Sequence, residues 1–299
     1  MTLPASEAFT RIDADLWCLF DRYVHGDIDR RGFLERAACF AAAGGTTAAA
    51  LLAALSPDFA RAQKVAPNDA RLKTGFVEFA SPAGHGKVRA YVARPAQHAG
   101  PLPALLVAHE NRGLNPHIED IARRLALENF IAVAPDALFP LGGYPGDEDK
   151  ARALFAQLDQ ATTREDFIAA AGHARTLPDG NGKLGAIGFC WGGSMVNFLA
   201  TRVTELRAAA PFYGGPPPSD QVGRIRAELV LAFADHDERI NAAWPAYQEA
   251  LKNAGVKYEA HRYPGTQHGF NNDTTPRFEV AAAQQAWGRA MALFERTLR

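Results

Sequence analysis

A cysteine in a glycine-rich turn is the residue of this sequence best suited to nucleophilic chemistry. The segment GFCWGG (188–193) follows an apolar run, 183–187, and precedes residues 194–201, which have helical character. Glycines permit a tight turn that a Cβ would block, and the unpaired N–H groups of a helix start favour a thiolate at Cys190. The pattern predicts a strand, a sharp turn and a helix with a reactive thiol between them. The alternative is a buried structural cysteine beside a packing turn.

An acid and a histidine follow the cysteine along the chain. The apolar run 229–234 leads into a loop with Asp235 and Asp237, and the loop PGTQHGF (264–270) carries His268. The order nucleophile, acid, histidine is the one used by α/β-hydrolases. His268 would hold the cysteine as a thiolate and later protonate the leaving group, while Asp237 would orient the imidazolium.

Two alternatives remain open for these partners. Asp235 is a rival for the role of the acid, and we prefer Asp237 because Ile240, three residues later, can anchor its loop in the core. Asp237 could also be a solvated loop acid or a helix cap. His268 could be a turn histidine with a structural hydrogen bond.

A third loop is expected to complete the same site. The predicted strand 104–108 ends in His109, Glu110 and Asn111. We expect the backbone N–H groups of Asn111 and Trp191 to form an oxyanion hole, in which one donor contributes roughly 3 kcal/mol. Glu110 would then be a carboxylate beside the thiol.

The turn G-x-C-x-G-G and the His-Glu pair after an early strand resemble the dienelactone hydrolase family, over roughly residues 72–299. The resemblance implies that Cys190 is the nucleophile, Asp237 the acid and His268 the base. It also implies that Glu110 takes the thiol proton when substrate binds. The expected activity is hydrolysis of a small-molecule ester or lactone without a cofactor. The alternatives are a broad carboxylesterase or thioesterase, and a non-catalytic binding protein on the same fold.

One part of the family pattern is missing. Family members that act on dienelactone carry an arginine shortly after the catalytic histidine, whereas residues 268–272 read HGFNN. A second expected arginine has no convincing match in 142–152. Since a guanidinium is the strongest partner for a carboxylate, neutral esters or lactones are as well supported as dienelactone.

Alternation of strands and helices predicts the fold class. We predict an α/β-hydrolase fold with a mostly parallel sheet of about eight strands and helices on both faces. The predicted strands are 75–79, 88–94, 104–108, 131–135, 185–189, 208–212, 229–233 and 258–263. The loops 138–146 and 214–218 would wall the pocket, with Tyr144 and Tyr213 as candidate substrate-binding residues. Alternatively, both loops are ordinary surface loops with aromatic anchors.

Composition excludes several function classes. The chain has 299 residues, 47% hydrophobic content and a net charge of −1, which indicates one sizeable core and argues against a nucleic-acid partner. Nine histidines are scattered without zinc-ligand spacing, so we predict no metal. Neither a dinucleotide-binding motif nor a P-loop is present, and we predict no cofactor.

The N-terminus resembles a twin-arginine export signal. Arg30 and Arg31 precede Phe33 and Leu34, residues 37–57 carry no charge until Asp58, and small residues lie around Ala62. We therefore divide the chain into an N-terminal extension, 1–62, and a catalytic domain, 63–299, and expect export to the periplasm through the twin-arginine machinery. The uncharged run is marginal for a bilayer span, so we predict no permanent membrane anchor. The alternative is a cytoplasmic chain in which an amphipathic helix, 12–23, and the alanine-rich helix pack on the domain.

Overall fold

The structure is a computed structural model, and it describes residues 14–299. Helices alternate with strands after an N-terminal group of four helices. These four are α1 (Ala14–His25), α2 (Arg30–Ala43), α3 (Ala48–Leu55) and α4 (Phe59–Ala62). The later helices are α5 (Pro116–Leu127), α6 (Glu148–Phe155), α7 (Gln160–Arg175), α8 (Trp191–Arg202), α9 (Glu238–Asn241), α10 (Trp244–Asn253) and α11 (Val280–Leu298).

One sheet of eight strands forms the centre of the described chain. Its strands are β1 (Leu72–Ser81), β2 (Gly86–Pro95), β3 (Leu102–Ala108), β4 (Ile131–Pro135), β5 (Gly180–Phe189), β6 (Leu206–Phe212), β7 (Glu228–His236) and β8 (Tyr258–Gln267). Their order in the sheet is β1-β2-β4-β3-β5-β6-β7-β8. The pairs β1/β2 and β2/β4 are antiparallel and the others are parallel. All eight predicted strands are confirmed, most with longer ends.

Two hydrophobic clusters lie on opposite faces of this sheet. All seven residues of β3 and all five of β4 are buried, as expected for central parallel strands covered on both sides. One cluster joins the sheet to α6, α7 and α8, and the other joins it to α5 and α11. The α/β-hydrolase fold class is therefore confirmed, and the loops at the carboxyl ends of β3, β5, β7 and β8 meet at one edge.

The four N-terminal helices, residues 14–62, form what we call the arm. The arm has its own hydrophobic cluster, built only from its own residues. In α1 the buried positions Leu16, Leu19, Phe20 and Tyr23 lie on one face. The arm packs on the catalytic domain, which is the arrangement described by the cytoplasmic alternative. Its role as an export signal stays a prediction.

No single helix among residues 14–299 is long and apolar enough to cross a membrane. The segments Arg30–Ala43 and Ala48–Ala62 meet the length and composition test only when taken together, and they are bent by 99° relative to each other.

Candidate functional site

The turn after β5 holds a buried, strained cysteine at the carboxyl ends of the strands. Cys190 has a φ of 56°, in the left-handed region that non-glycine residues seldom adopt, and it precedes the first residue of α8. Its backbone N–H donates to Phe212 O at 3.1 Å, which ties the turn to β6. A Cβ on Gly188 would lie 2.1 Å from Gly192 O, and one on Gly192 would lie 2.1 Å from Ala108 O. The predicted need for glycine at both positions therefore comes from close backbone approach.

The histidine and the acid predicted from the sequence meet in the buried part of this edge. His268 Nδ1 lies 2.5 Å from Asp237 Oδ2, and each residue is only 4% exposed. Asp237 also caps α9 by accepting from the Ile240 N–H at 3.4 Å, and Ile240 is buried as expected. The rival Asp235 lies elsewhere, in an ion pair with Arg262 at 2.7 Å. Asp237 is therefore the loop acid that contacts His268.

The imidazole of His268 lies next to the thiol. A ring nitrogen of His268 lies within 4.8 Å of Cys190 Sγ. The nitrogen that does not contact Asp237, Nε2, is buried and has no hydrogen-bond partner. The structure thus brings together the three residues predicted to act in sequence, with an imidazole between the thiol and a carboxylate.

Electrostatics at the thiol favour ionisation. Burial raises the pKa of Cys190, but the attraction of His268 and a hydrogen bond from a second histidine, His25, hold it well below its usual value. Burial lowers the pKa of His268, whereas the charges of Cys190 and Asp237 raise it to about 10. The two shifts describe a thiolate beside an imidazolium.

The loop after β3 carries Glu110 to the same place. Glu110 Oε2 accepts from Asn272 Nδ2 at 2.8 Å. Burial and the charge of Cys190 raise the pKa of Glu110 to about 7. The neighbouring His109 is fully buried, with Nδ1 at 2.6 Å from Glu110 O and Nε2 accepting from the Ala137 N–H at 3.2 Å. His109 therefore fixes the loop.

The two residues predicted to form the oxyanion hole come from separate elements. Trp191 begins α8, so its N–H has no acceptor within the helix. Asn111 follows Glu110, and its side-chain Nδ2 donates to Val24 O in the arm at 2.9 Å. Their roles as oxyanion donors stay a prediction.

The two tyrosines chosen as substrate contacts differ in their surroundings. Tyr213 is fully buried, its ring lies 5.0 Å from that of His268, and its hydroxyl has no partner. Tyr144 is half-buried and its hydroxyl donates to Glu148 Oε1 at 2.8 Å. Tyr213 thus packs edge-on against the His268 ring. The roles of both tyrosines as substrate contacts stay predictions.

A residue that sequence reasoning missed lies at the centre of the site. His25, at the end of α1, places Nε2 at 3.6 Å from Cys190 Sγ. Its ring contacts that of His268 edge-on at 4.8 Å between centroids. The ligand atoms of His25, Cys190 and His268 lie within 4.8 Å of one another, so this group could hold a metal ion. The prediction of no metal stays a prediction.

Two arginines outside segments 142–152 and 268–272 lie beside Glu110 in a small cavity. A cavity of about 50 Å³ between the arm and the catalytic domain is lined by Glu110, Arg112 and Arg277, among others. Arg112 Nη2 donates to Val24 O at 3.1 Å, and Arg277 Nη1 lies 3.6 Å from an Asp21 oxygen. The arm therefore engages both guanidinium groups. Neither predicted pocket wall, 138–146 or 214–218, is among the residues lining this cavity.

Comparison with known proteins agrees with this geometry. The model of the dienelactone hydrolase family matches residues 88–298, and a YqhI-like model matches residues 10–43, in the arm and just before it. The "Putative carboxymethylenebutenolidase" of Escherichia coli K12 is 32% identical over 244 residues, which cover 77% of this chain and 89% of that protein. The "Putative hydrolase fragment YghX" of the same strain is 50% identical over 113 residues, 38% of this chain and 97% of that one.

A solved structure has the same architecture. The crystal structure titled putative dienelactone hydrolase from Klebsiella pneumoniae superposes with a TM-score of 0.65 at 29% identity, over 74% of this chain and 99% of that one. The family match covers most of the catalytic domain, including the cysteine turn and the histidine loop. The chain belongs to the dienelactone hydrolase family and is a hydrolase of ester or lactone bonds.

Proposed function

We propose that the protein cleaves a carboxylic ester or lactone by covalent catalysis through a Cys190, His268 and Asp237 triad. The observation that carries the proposal is the buried contact between His268 Nδ1 and Asp237 Oδ2 at 2.5 Å, which leaves Nε2 without a partner in a ring that has a nitrogen within 4.8 Å of the thiol. A carboxylate on one ring nitrogen leaves the other free to exchange a proton with the thiol or the leaving group.

The reaction proceeds through a thioester. The Cys190 thiolate attacks the acyl carbon, and the negative charge moves to the carbonyl oxygen, near the N–H groups of Asn111 and Trp191. The C–O bond to the leaving group breaks, and His268 Nε2 gives that oxygen a proton. Water then attacks the thioester, with His268 accepting its proton, and the free acid and the thiolate are released.

The family resemblance gives Glu110 the role of accepting the thiol proton. Its raised pKa of about 7 is compatible with gain and loss of a proton near neutral pH. Tyr144 and Tyr213 are retained as candidate substrate contacts, and the expected partner is a small ester or lactone without a cofactor.

The substrate class is tested with a panel that varies the charge and the length of the substrate. We would compare dienelactone, neutral lactones and p-nitrophenyl esters of rising length, with wild type and Cys190→Ala assayed side by side. Turnover that depends on Cys190 supports the proposal, and full activity of Cys190→Ala refutes it. Turnover of dienelactone would indicate that Arg112 or Arg277 binds a carboxylate, whereas turnover of neutral esters alone would not. A fold-intact protein inactive on every substrate would favour the binding-protein alternative.

Export is a separate proposal, supported by the Arg30-Arg31 pair and the uncharged run that follows it. N-terminal sequencing of the protein from the periplasmic and cytoplasmic fractions of producing cells tests it. A periplasmic chain that begins at Gln63 would support a cleaved signal. A cytoplasmic chain that retains residues 14–62 would contradict export and support the packed arm.

A further inference from the structure

The arm places His25 next to the proposed nucleophile, and contacts with Asp21 fix the orientation of its ring. His25 Nδ1 lies 2.8 Å from Asp21 O and 3.2 Å from Asp21 Oδ2, so this nitrogen carries a proton and donates. The opposite nitrogen, Nε2, lies 3.6 Å from Cys190 Sγ. The imidazole of His25 therefore lies between the Asp21 carboxylate and the Cys190 thiol. The imidazole of His268 lies in the same way between the Asp237 carboxylate and that thiol.

Hydrogen bonds to the last turn of α1 fix the position of His25. Val24 O accepts from Asn111 Nδ2 at 2.9 Å and from Arg112 Nη2 at 3.1 Å. Arg152 Nη1 donates to Tyr23 O at 2.6 Å. These donors belong to the catalytic domain, and two of them are neighbours of Glu110. The loop that forms one wall of the site thus also places the histidine.

Packing of the arm does not require this histidine. The arm's cluster is formed by apolar residues of α1 to α3, and His25 is not one of them. Its side chain is 14% exposed, and its ring contacts His268 and the thiol as well as the polar groups of Asp21 and Arg239. An imidazole held by a carboxylate on one nitrogen and directed at a thiol on the other is suited to proton exchange.

We propose that His25 is a further catalytic residue, which takes the Cys190 thiol proton on Nε2 and holds the resulting thiolate by donating that proton back as a hydrogen bond. In this step the S–H bond breaks and an N–H bond forms, giving a thiolate and an imidazolium. The inference rests on the proposed thiol mechanism and on an arm that stays attached, so it excludes a signal that is cleaved before Gln63. It departs from the family resemblance, since His25 rather than Glu110 generates the thiolate, and it does so before substrate binds.

A contact with Arg239 provides a hydrogen-bond partner for His25 after the cysteine is acylated. Arg239 Nη2 lies 3.0 Å from His25 Nε2, and a guanidinium can only donate. The imidazolium therefore bonds to the thiolate, whereas the neutral imidazole accepts from Arg239. When the thiolate becomes a thioester and its charge disappears, the imidazolium gives its Nε2 proton to solvent water, and the neutral ring accepts from Arg239 instead. His25 takes up a proton from solvent again when deacylation regenerates the thiolate.

The test is the pH dependence of Cys190 alkylation by iodoacetamide in the full chain, followed by peptide mass spectrometry to separate it from Cys18 and Cys39. In His25→Ala the apparent pKa of Cys190 should rise by about one unit, and His25→Gln, which keeps an N–H donor, should restore part of the shift. Asp21→Asn should raise it less. Arg30→Ala, which removes an exposed arm contact to Asp149, is the matched control and should leave the pKa unchanged.

Glu110→Gln separates the two candidate proton acceptors. Removal of a negative charge beside the thiol should lower the pKa of Cys190, the direction opposite to that in His25→Ala. Faster alkylation of His25→Ala at every pH, with an unchanged pKa, would overturn the proposal and make His25 a steric cover only. An active protein that begins at Gln63 would overturn it as well.

Failure of this inference is distinguishable from failure of the mechanism. If Cys190→Ala is inactive while His25→Ala keeps the wild-type thiol pKa and kcat/KM, only the role of His25 is wrong. If Cys190→Ala is fully active, the thiol mechanism itself fails. If His25→Ala does not fold, Asp21→Asn still tests the proposal, because this variant keeps His25 and should still raise the pKa of Cys190.

Discussion

His268 and Asp237 form a buried pair whose Nδ1 to Oδ2 distance is 2.5 Å, although the two residues come from different loops. The carboxylate fixes which imidazole nitrogen faces the thiol and stabilises the protonated ring. Asp235, two positions earlier, instead lies in an exposed ion pair with Arg262. Asp237, which contacts His268, and Asp235, which does not, can therefore be compared as two acids of the same loop.

Asp237→Asn should lower kcat by about 10²- to 10⁴-fold, because the amide cannot stabilise the imidazolium and can favour the wrong tautomer. Asp235→Asn should change kcat by less than about threefold, since exposed ion pairs contribute little. Steady-state kinetics on one ester measure both. Equal losses in the two variants would mean that Asp237 has no special role.

The glycine after Trp191 is required by close packing of the turn. Gly192→Ala would place a Cβ 2.1 Å from Ala108 O, and we expect it to lower the free energy of unfolding by about 3 kcal/mol or more. Gly172→Ala is the control, because a Cβ there meets nothing within 4 Å and lies inside α7. It should raise the free energy of unfolding by about 0.5–1 kcal/mol. Urea titration measures both, and a wild-type midpoint for Gly192→Ala would contradict the geometry.

The pH profile of kcat/KM should show a plateau that begins on the acid side of the ordinary thiol pKa. The pKa of Cys190 is lowered, so the thiolate persists as the pH falls and disappears only below the lowered value. The alkaline limb should lie near pH 10, where His268 loses the proton that it gives to the leaving group. An acid limb near pH 8.5, the ordinary value for cysteine, would contradict thiolate stabilisation by the two histidines.

Docking of the arm should depend on pH through His25. Burial lowers the pKa of His25, whereas hydrogen bonds to Asp21 and Cys190 raise it from an ordinary 6.5 to about 9. A raised pKa stabilises the docked arm fully below pH 6.5, and this contribution is lost as the pH rises toward 9.

Hydrogen exchange of residues 14–25 measures this docking. Protection, corrected for the intrinsic pH dependence of exchange, should fall between pH 6.5 and 9 in wild type. His25→Gln should remove this dependence, and Arg30→Ala should retain it. The same fall in His25→Gln would assign the effect to another group.

The sheet and four residues of the candidate site could be predicted because their signals are local. Apolar runs marked the strands, and the loops that follow β3, β5, β7 and β8 carried Glu110, Cys190, Asp237 and His268 to one edge. Parallel strands place their carboxyl ends together, so chain order alone predicted the contact.

His25 could not be predicted, because it lies 165 residues from Cys190 and belongs to no local motif. An alanine-rich run after an arginine pair has the same composition as an export signal or as a packed helix, so composition alone does not distinguish the two. Arg277 was missed for a similar reason, since it reaches the cavity from beyond the 268–272 segment. Long-range packing, rather than local pattern, determined each of these positions.

The most direct measurement is capture of the acyl-enzyme. A p-nitrophenyl ester is mixed with excess enzyme, quenched in acid and digested, and the peptides are weighed by mass spectrometry. We predict one acyl group on the peptide with Cys190, present also in Cys39→Ala and absent in Cys190→Ala, which should not turn over the ester. Wild-type turnover by Cys190→Ala, or an acyl group on another residue during turnover, would contradict the account.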